Sequence, residues 1–431
     1  MYIPYDKVGS TLALLAPIKT RKNIREFFNE LKIQTNCNYI NKNVKRVREK
    51  LSKDVKRRKL RVGFFIYDET KWKCQTLYDI FENSNEFTPI ILATKNCSPK
   101  SNFNFQKPET IKKIYEFFKN KSMNVEYAYD FDEDCYIPFE KFNLDIIFYQ
   151  HPWYIDTSQG PVVCSKFALT YYVPYYLPST TFPQDYYLRF HRYIHKYCVL
   201  NKELVDRYSK LMANKGENLL PVGTPQLDYF YLEKNSDKKR KYLIYAPHWS
   251  VNHVNTIAYS TFLWSGRIIL EYAKKHPELN WIFKPHPCLK SALITNGYWS
   301  EQEVEDYYQE WDKIGMRYES GDYLDLFQQS YAMITDCGTF LTEFFLTEMP
   351  VIHLVTPDSA PFIDHINKIS ATYYRAKNED ELEKYFNEVI IDKNDYMKEK
   401  RLELLQNLDF ANNYSALSIY EYIKQELGIK E

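Results

Sequence analysis

The chain has 431 residues, enough for two or three domains that each bury a full core. Its 57 Lys and Arg balance 56 Asp and Glu to a net charge of +1, so no global field draws it to nucleic acid. Eight scattered cysteines, with no CxxC pair and no Cys/His ligand spacing, read as reduced thiols of a cytosolic protein and offer no zinc site. No apolar run reaches the roughly 18 residues of a spanning helix. The apolar stretch 12–18 is short and interrupted by Pro17, so no signal peptide is expected. A protein of this kind is soluble or, at most, peripheral to a membrane.

Residues 19–59 are crowded with Lys and Arg, while Ile40, Val44, Val47 and Leu51 keep helical spacing. The pattern predicts an amphipathic helix with a basic face. Two readings of that face stand: residues 40–61 meet an anionic membrane or polymer, or the face is solvated and the apolar stripe packs on the domain behind it. From residue 60 strand and helix alternate. Strands are expected at 61–67, 87–93, 124–129 and 144–150, and helices at 72–81 and 108–118. Alternation of this kind means a doubly wound parallel sheet. The strand 144–150 ends in Gln150-His151-Pro152, and ligands of open α/β sheets bind outside the carboxyl ends of strands. His151 therefore stands where a catalytic group belongs, although strand-end histidines also serve as structural hydrogen-bonders. A short helix at 165–169 is expected before Tyr171-Tyr172-Val173-Pro174. His191 and His195, one helical turn apart with no carboxylate or cysteine to complete a ligand set, read as packing or surface residues.

The polar stretch 235–241 reads as a linker. Beyond it a second sheet is expected. A strand at 241–246 ends in Pro247-His248-Trp249-Ser250, and a strand at 281–284 ends in Lys284-Pro285-His286-Pro287. A strand at 331–335 runs into Asp336-Cys337-Gly338-Thr339. Phe340, Leu341, Phe344 and Phe345 then continue a helix that Met349-Pro350 closes, ahead of a strand at 351–355. At this last turn, helix N–H groups and the helix dipole suit an anion. Gly338 would let a phosphate approach, Thr339 adds a hydroxyl, and Glu343 lies a turn further on, where ribose hydroxyls would be held. A plain capped helix with a solvated Glu343 explains the same residues. Brought to one sheet edge, the three strand ends offer His248, Lys284, His286, Asp336, Gly338, Thr339 and Glu343 to a single ligand. Lysine and imidazole donors suit a diphosphate.

The segments YAPHWS, FKPHP and GDYLDLFQQSYAMITDCGTFLTEFFLTEMPVIHL, spread over residues 240–360, resemble the donor-domain motifs of the CDP-glycerol glycerophosphotransferases, the teichoic-acid and capsule polymerases and primases. The resemblance implies a GT-B-type fold: two doubly wound, Rossmann-like domains facing a central cleft, here with a basic helical N-terminal extension (1–59). With the linker read at 235–241, the acceptor-side domain is expected at 60–234, the nucleotide-donor domain at 235–395, and C-terminal helices at 396–431 packing back on the first domain. The resemblance implies that His286 binds the donor pyrophosphate and that Gly338-Thr339 stand in place of a Ser-Ser pair. Cys337-Gly338-Thr339 departs from the Tyr-Ser-Ser of the family, Glu343 stands where aspartate is common, and no WHGTPLK-like segment occurs in the first half. On this reading the catalytic residues are His151 as base, with His248 and His286. Lys284, Asp336, Gly338, Thr339 and Glu343 bind the nucleotide. The partners are a CDP-linked donor and a glycan or lipid-linked glycan acceptor, with no cofactor and no metal. A GT-B glycosyltransferase using a UDP- or CDP-sugar, and a non-catalytic glycan- or membrane-binding protein, are the alternatives.

Overall fold

The computed structural model describes residues 18–97, 107–180, 186, 188–233, 239–252, 257–319 and 323–429. They form two compact units: Met1–Tyr175 with Pro183–Gln226 and Ser415–Glu431, and Tyr176–Phe182 with Leu227–Tyr414.

The first unit is built on seven parallel strands: β1 (Leu60–Ile66), β2 (Phe87–Ala93), β3 (Val125–Tyr127), β4 (Ile146–Tyr149), β5 (Leu169–Tyr172), β6 (Lys196–Val199) and β7 (Leu219–Pro221). Their order is β3-β2-β1-β4-β5-β6-β7. Segments such as LRVGFFI and IIFY are apolar on both faces because helices cover both. The chain passes out of this unit at Gln226–Leu227, ahead of the stretch read as a linker. Of that stretch, residues 235–238 lie outside the described residues.

Helix α1 (Ile18–Asp54) is longer than the spacing of its apolar stripe indicated. Ile33, Ile40, Val47 and Leu51 are buried along one face, and Asn43 donates to Ser165 Oγ at 3.1 Å. The helix is thus a layer of the first unit rather than an extension, and its Lys and Arg face outward. Its polar composition also bars a spanning role. Among the described residues no helix is long and apolar enough to cross a membrane. The final helix α2 (Ser415–Leu427) belongs to the same unit, held there by Glu426. That carboxylate takes the Tyr171 hydroxyl at 2.5 Å and His195 Nε2 at 2.8 Å. The helix at Lys398–Gln406, expected to pack on the first domain with it, instead belongs to the second unit, where Arg401 pairs with Asp395.

The second unit carries six parallel strands: β8 (Tyr242–Ala246), β9 (Trp281–Phe283), β10 (Met316–Arg317), β11 (Ser330–Thr335), β12 (Val351–Leu354) and β13 (Tyr374–Ala376), in the order β10-β9-β8-β11-β12-β13. Its core is aromatic. Phe283 stacks on Trp311 with centroids 4.9 Å apart, and Trp281 lies beside it.

Local corrections have local causes. The helix expected at 165–169 lies at Pro161–Cys164, where Pro161 pre-sets the first turn. Thr170, Tyr171 and Tyr172 go into β5, as β-branched and aromatic residues favour. The expected strand 124–129 stops at Tyr127, and Tyr129–Asp130 pairs antiparallel with Cys135–Tyr136. Trp72 stays outside the helix that follows (Gln75–Glu82), its indole donating to Gln75 Oε1 at 2.9 Å.

Candidate functional site

The strand order of the second unit puts the first strand beside the fourth. The crossovers leave β8 and β11 in opposite directions, so the switch point, where open α/β sheets take their ligands, lies outside their carboxyl ends. The register makes those ends level: Tyr245 pairs with Phe283, and Ala246 with Thr335. PHWS, KPHP and TDCGT therefore leave three adjacent strands at one height. Backbone bonds beyond the sheet join the first two loops, with Lys284 N–H donating to Tyr245 O at 2.8 Å and His286 N–H to Pro247 O at 3.0 Å.

At these strand ends the imidazoles of His248 and His286 lie 5.2 Å apart, centroid to centroid. The tautomer of each follows from its neighbours. The Ser250 hydroxyl accepts from Tyr259 N–H at 2.9 Å, so its own proton goes to His248 Nδ1 at 2.8 Å, where Ser250 N–H also points at 3.2 Å. His286 Nδ1 accepts the N–H of Cys288 at 3.1 Å. Both rings are thereby left with a proton on Nε2, and among the described residues neither Nε2 has a protein acceptor. Two donors set side by side on stiff loops suit an anion. Both rings are held neutral by their burial. Burial pushes His286 down to about 4, aided by Lys284. Burial also takes His248 well below the usual histidine range, aided by His286. An anion received between them reverses that bias.

Asp336 departs from expectation. Its side chain is 1% exposed and turned into the protein. One oxygen accepts His248 N–H at 2.6 Å, and the other accepts Thr261 N–H at 2.7 Å and Thr261 Oγ1 at 3.0 Å. It ties the PHWS loop to the start of the following helix (Phe262–Lys275), and is a positioning residue rather than a ligand contact. Burial pushes its carboxyl up to about 6 against these bonds.

Gly338 also has a role the sequence did not indicate. It begins the helix Gly338–Phe345, but a Cβ there would lie 2.9 Å from Phe362 Cε1, 2.9 Å from Ser179 Cβ and 3.0 Å from Tyr259 Cε2. The missing side chain admits protein neighbours rather than an open phosphate cradle. Ser179 comes from the segment Tyr176–Phe182, which crosses from the first half of the chain into this unit. Thr180 bridges Phe362 and donates to Pro361 O at 2.7 Å, while Ile363 N–H donates to Ser179 O at 3.1 Å. Thr339, the next residue of the helix, is half-buried.

Lys284 is 7% exposed, and its ammonium sits among three rings: Tyr323 at 4.6 Å, Phe340 at 5.3 Å and Tyr318 at 5.5 Å to the centroids. Glu343 is buried nearby, taking the Tyr323 hydroxyl at 3.1 Å. These two residues thus share one aromatic wall of the crevice.

In the first unit, His151 follows β4 at the equivalent position. It is 1% exposed, edge-on to Tyr67 at 3.7 Å and against Phe65 at 4.8 Å, and among the described residues its Nε2 has no hydrogen-bond partner. Burial, then Lys71, hold it neutral. His191 is a packing residue, stacked on Tyr197 at 5.2 Å, and His195 hydrogen-bonds Glu426. Ser250, Tyr259, Thr261, Ser179 and Phe362 escaped the sequence reading. Only Ser250, two residues past a strand-end histidine, carried a local signal. Among the described residues no cluster of three or more His, Cys, Asp or Glu side chains could hold a metal ion.

No family model matches the chain, and no curated protein matches it in sequence. Solved structures do match in shape. The UDP co-structure of S. aureus MnaA superposes with a TM-score of 0.54 at 12% identity, over 86% of this chain and 98% of that one. The wall teichoic acid polymerase TagF, in a variant soaked with CDPG, superposes with a TM-score of 0.51 at 13% identity, over 94% of this chain and 98% of that one. The fold is GT-B-like. A UDP-GlcNAc 2-epimerase from Neisseria meningitidis, bound to UDP-GlcNAc, aligns over 86% of this chain and all of its own length, at 15% identity and a TM-score of 0.50. Identities this low carry the GT-B-like architecture and leave the chemistry to the residues of this chain.

Proposed function

We propose that the chain is a transferase that moves a polyol-phosphate group, glycerol phosphate or a close relative, from a CDP-linked donor to a hydroxyl of a bacterial surface glycan. The observation that carries this reading is the His248–His286 pair, two Nε2–H donors on rings whose centroids lie 5.2 Å apart at the carboxyl edge of the second sheet. In the reaction the acceptor oxygen bonds to the distal phosphorus while the bond to the bridging oxygen breaks. A nucleoside monophosphate leaves, and its growing charge is what the two imidazoles, together with Thr339 in the first turn of its helix, would stabilise. Lys284 adds a fixed cation, and Glu343 would hold the ribose. The acceptor proton needs a base, and we assign this to His151. Its Nε2 is buried, so access requires that the packing over it be displaced.

Similarity to TagF and the PHWS, KPHP and TDCGT segments support this donor class. Similarity to MnaA and to UDP-GlcNAc 2-epimerases favours a second reading, an enzyme acting on a UDP-sugar in the same crevice. A thermal-shift screen of the purified protein against CMP, CDP, CTP, UDP, GDP and ADP separates them, because a ligand that binds only the native state raises the melting temperature. Stabilisation by cytidine nucleotides that disappears in His286→Ala is the expected result. A response to UDP alone selects the UDP-sugar enzyme, and no response to any nucleotide rejects both in favour of a non-catalytic binding protein.

A further inference from the structure

The amino-terminal edge of the second sheet, opposite the histidine pair, carries a cavity that the proposed transfer does not use. It measures 950 Å³ and is bounded by the residues entering β8 and β9, the turn before β12, and residues 389–398. Small-molecule sites typically span roughly 300–1,000 Å³. Its walls separate by chemistry. Leu279, Met349, Pro350, Val389 and Ile390 give one apolar side, and the exposed side chains of Lys239, Lys241, Lys393 and Lys398 surround it.

Two carboxylates also line the cavity, and both are engaged elsewhere. Glu278 faces His276 at 3.1 Å, while Asp395 pairs with Arg401 and takes the Tyr374 hydroxyl at 2.8 Å. Among the described residues none of the four lysines has a carboxylate within ion-pair distance. Arg240 adds a fifth positive charge. Its guanidinium donates to the carbonyls of Gln328 and Ser330 at 3.2 Å and of Thr347 at 2.9 Å, and among the described residues no carboxylate is within ion-pair distance, Glu348 attracting it only from further off. Five like charges around one cavity repel one another until an anion enters. A purely inorganic anion would leave the apolar wall wet.

We propose that this cavity binds an amphipathic organic phosphate, its apolar portion laid against Leu279, Met349 and Ile390 and its phosphate received by the lysines. The site lies on the opposite sheet edge from the candidate donor crevice and does not depend on the transferase reading.

Calorimetric titration of the full chain with dodecyl phosphate below its micelle concentration tests this, with inorganic phosphate and dodecyl maltoside as controls. Dodecyl phosphate is expected to bind at least about tenfold more tightly than either control, a difference of about 1.4 kcal/mol, and added salt should weaken it. The exposed pair Lys241→Glu/Lys398→Glu should lose about tenfold or more in affinity with an unchanged circular dichroism spectrum, while His286→Ala binds as the parent does. Equal binding of dodecyl phosphate and a control overturns the proposal, as does undiminished binding by the double variant. Co-sedimentation with phosphatidylglycerol vesicles then identifies the source. Sedimentation lost in the double variant assigns a lipid headgroup, and none beside firm dodecyl phosphate binding assigns a soluble phosphorylated metabolite.

Discussion

The two sheets share one topology and diverge at the same point. In each, the first strand lies between the second and the fourth, so each has its switch point outside the carboxyl ends of the first and fourth strands. At that point the second unit places two histidines whose Nδ1 atoms are already occupied, leaving two donors for a ligand. The first unit places one histidine, sealed edge-on against Tyr67, with Gln150 beside it receiving Lys73 N–H at 2.8 Å. Topology thus decides where a site can be, and the few residues after each strand decide what it can do. The second presents two hydrogen-bond donors side by side. In the first, a neutral imidazole stands under cover.

The comparison can be broken most sharply at His286. Replacing it with Ala removes one of two charge-stabilising donors and should lower turnover by on the order of 100- to 1,000-fold, with the melting temperature of the free protein little changed. Measured kcat for nucleotide release decides it, and activity equal to the parent would sink the assignment. Asp336→Ala acts on folding instead. Two buried amides, His248 N–H and Thr261 N–H, lose their acceptor at about 1–3 kcal/mol each, so urea unfolding should show a loss of roughly 2–6 kcal/mol. Asp336→Asn, which keeps one acceptor, should lose less.

A third test reads the buried histidines through pH. His191 is held down to about 3 by burial, so the folded state keeps it neutral while the unfolded chain takes up a proton below its ordinary value of about 6.5. Its contribution is fully present above that value and is lost as pH falls toward 3. At pH 5 the loss is about 2 kcal/mol. Asp336, raised to about 6, works in the opposite sense between about 6 and 3.8, since there the folded state holds the extra proton. His191→Phe should flatten stability against pH below 6.5 by close to one proton, and an unchanged slope would show that the ring is already charged in the fold. The smallest effect is expected of Gly338→Ala. Contacts of 2.9 Å with Phe362 and Ser179 must then be relieved, at about 1–3 kcal/mol by overpacking. A variant as stable as the parent would show open space over this residue and restore the phosphate-cradle reading.

Much of this was legible in the chain. Buried parallel strands are runs such as LIYA and AMIT, and period and punctuation place them without reference to partners. For that reason the second sheet, its three strand-end motifs and their shared edge could be read in advance, as could the apolar stripe of α1 at Ile40, Val47 and Leu51. What a side chain does after its strand ends depends on neighbours distant in sequence. Asp336 faces His248 and Thr261, residues 88 and 75 positions away, and Gly338 is filled by Ser179 and Phe362. No local pattern encodes such meetings. The sequence by itself determined the two sheets and the loops that meet at the crevice, because burial and periodicity act locally along the chain. Only the tertiary structure decided which of those residues face a ligand and which hold the loops in place, because a hydrogen bond needs its partner within about 3 Å, and folding alone sets that distance.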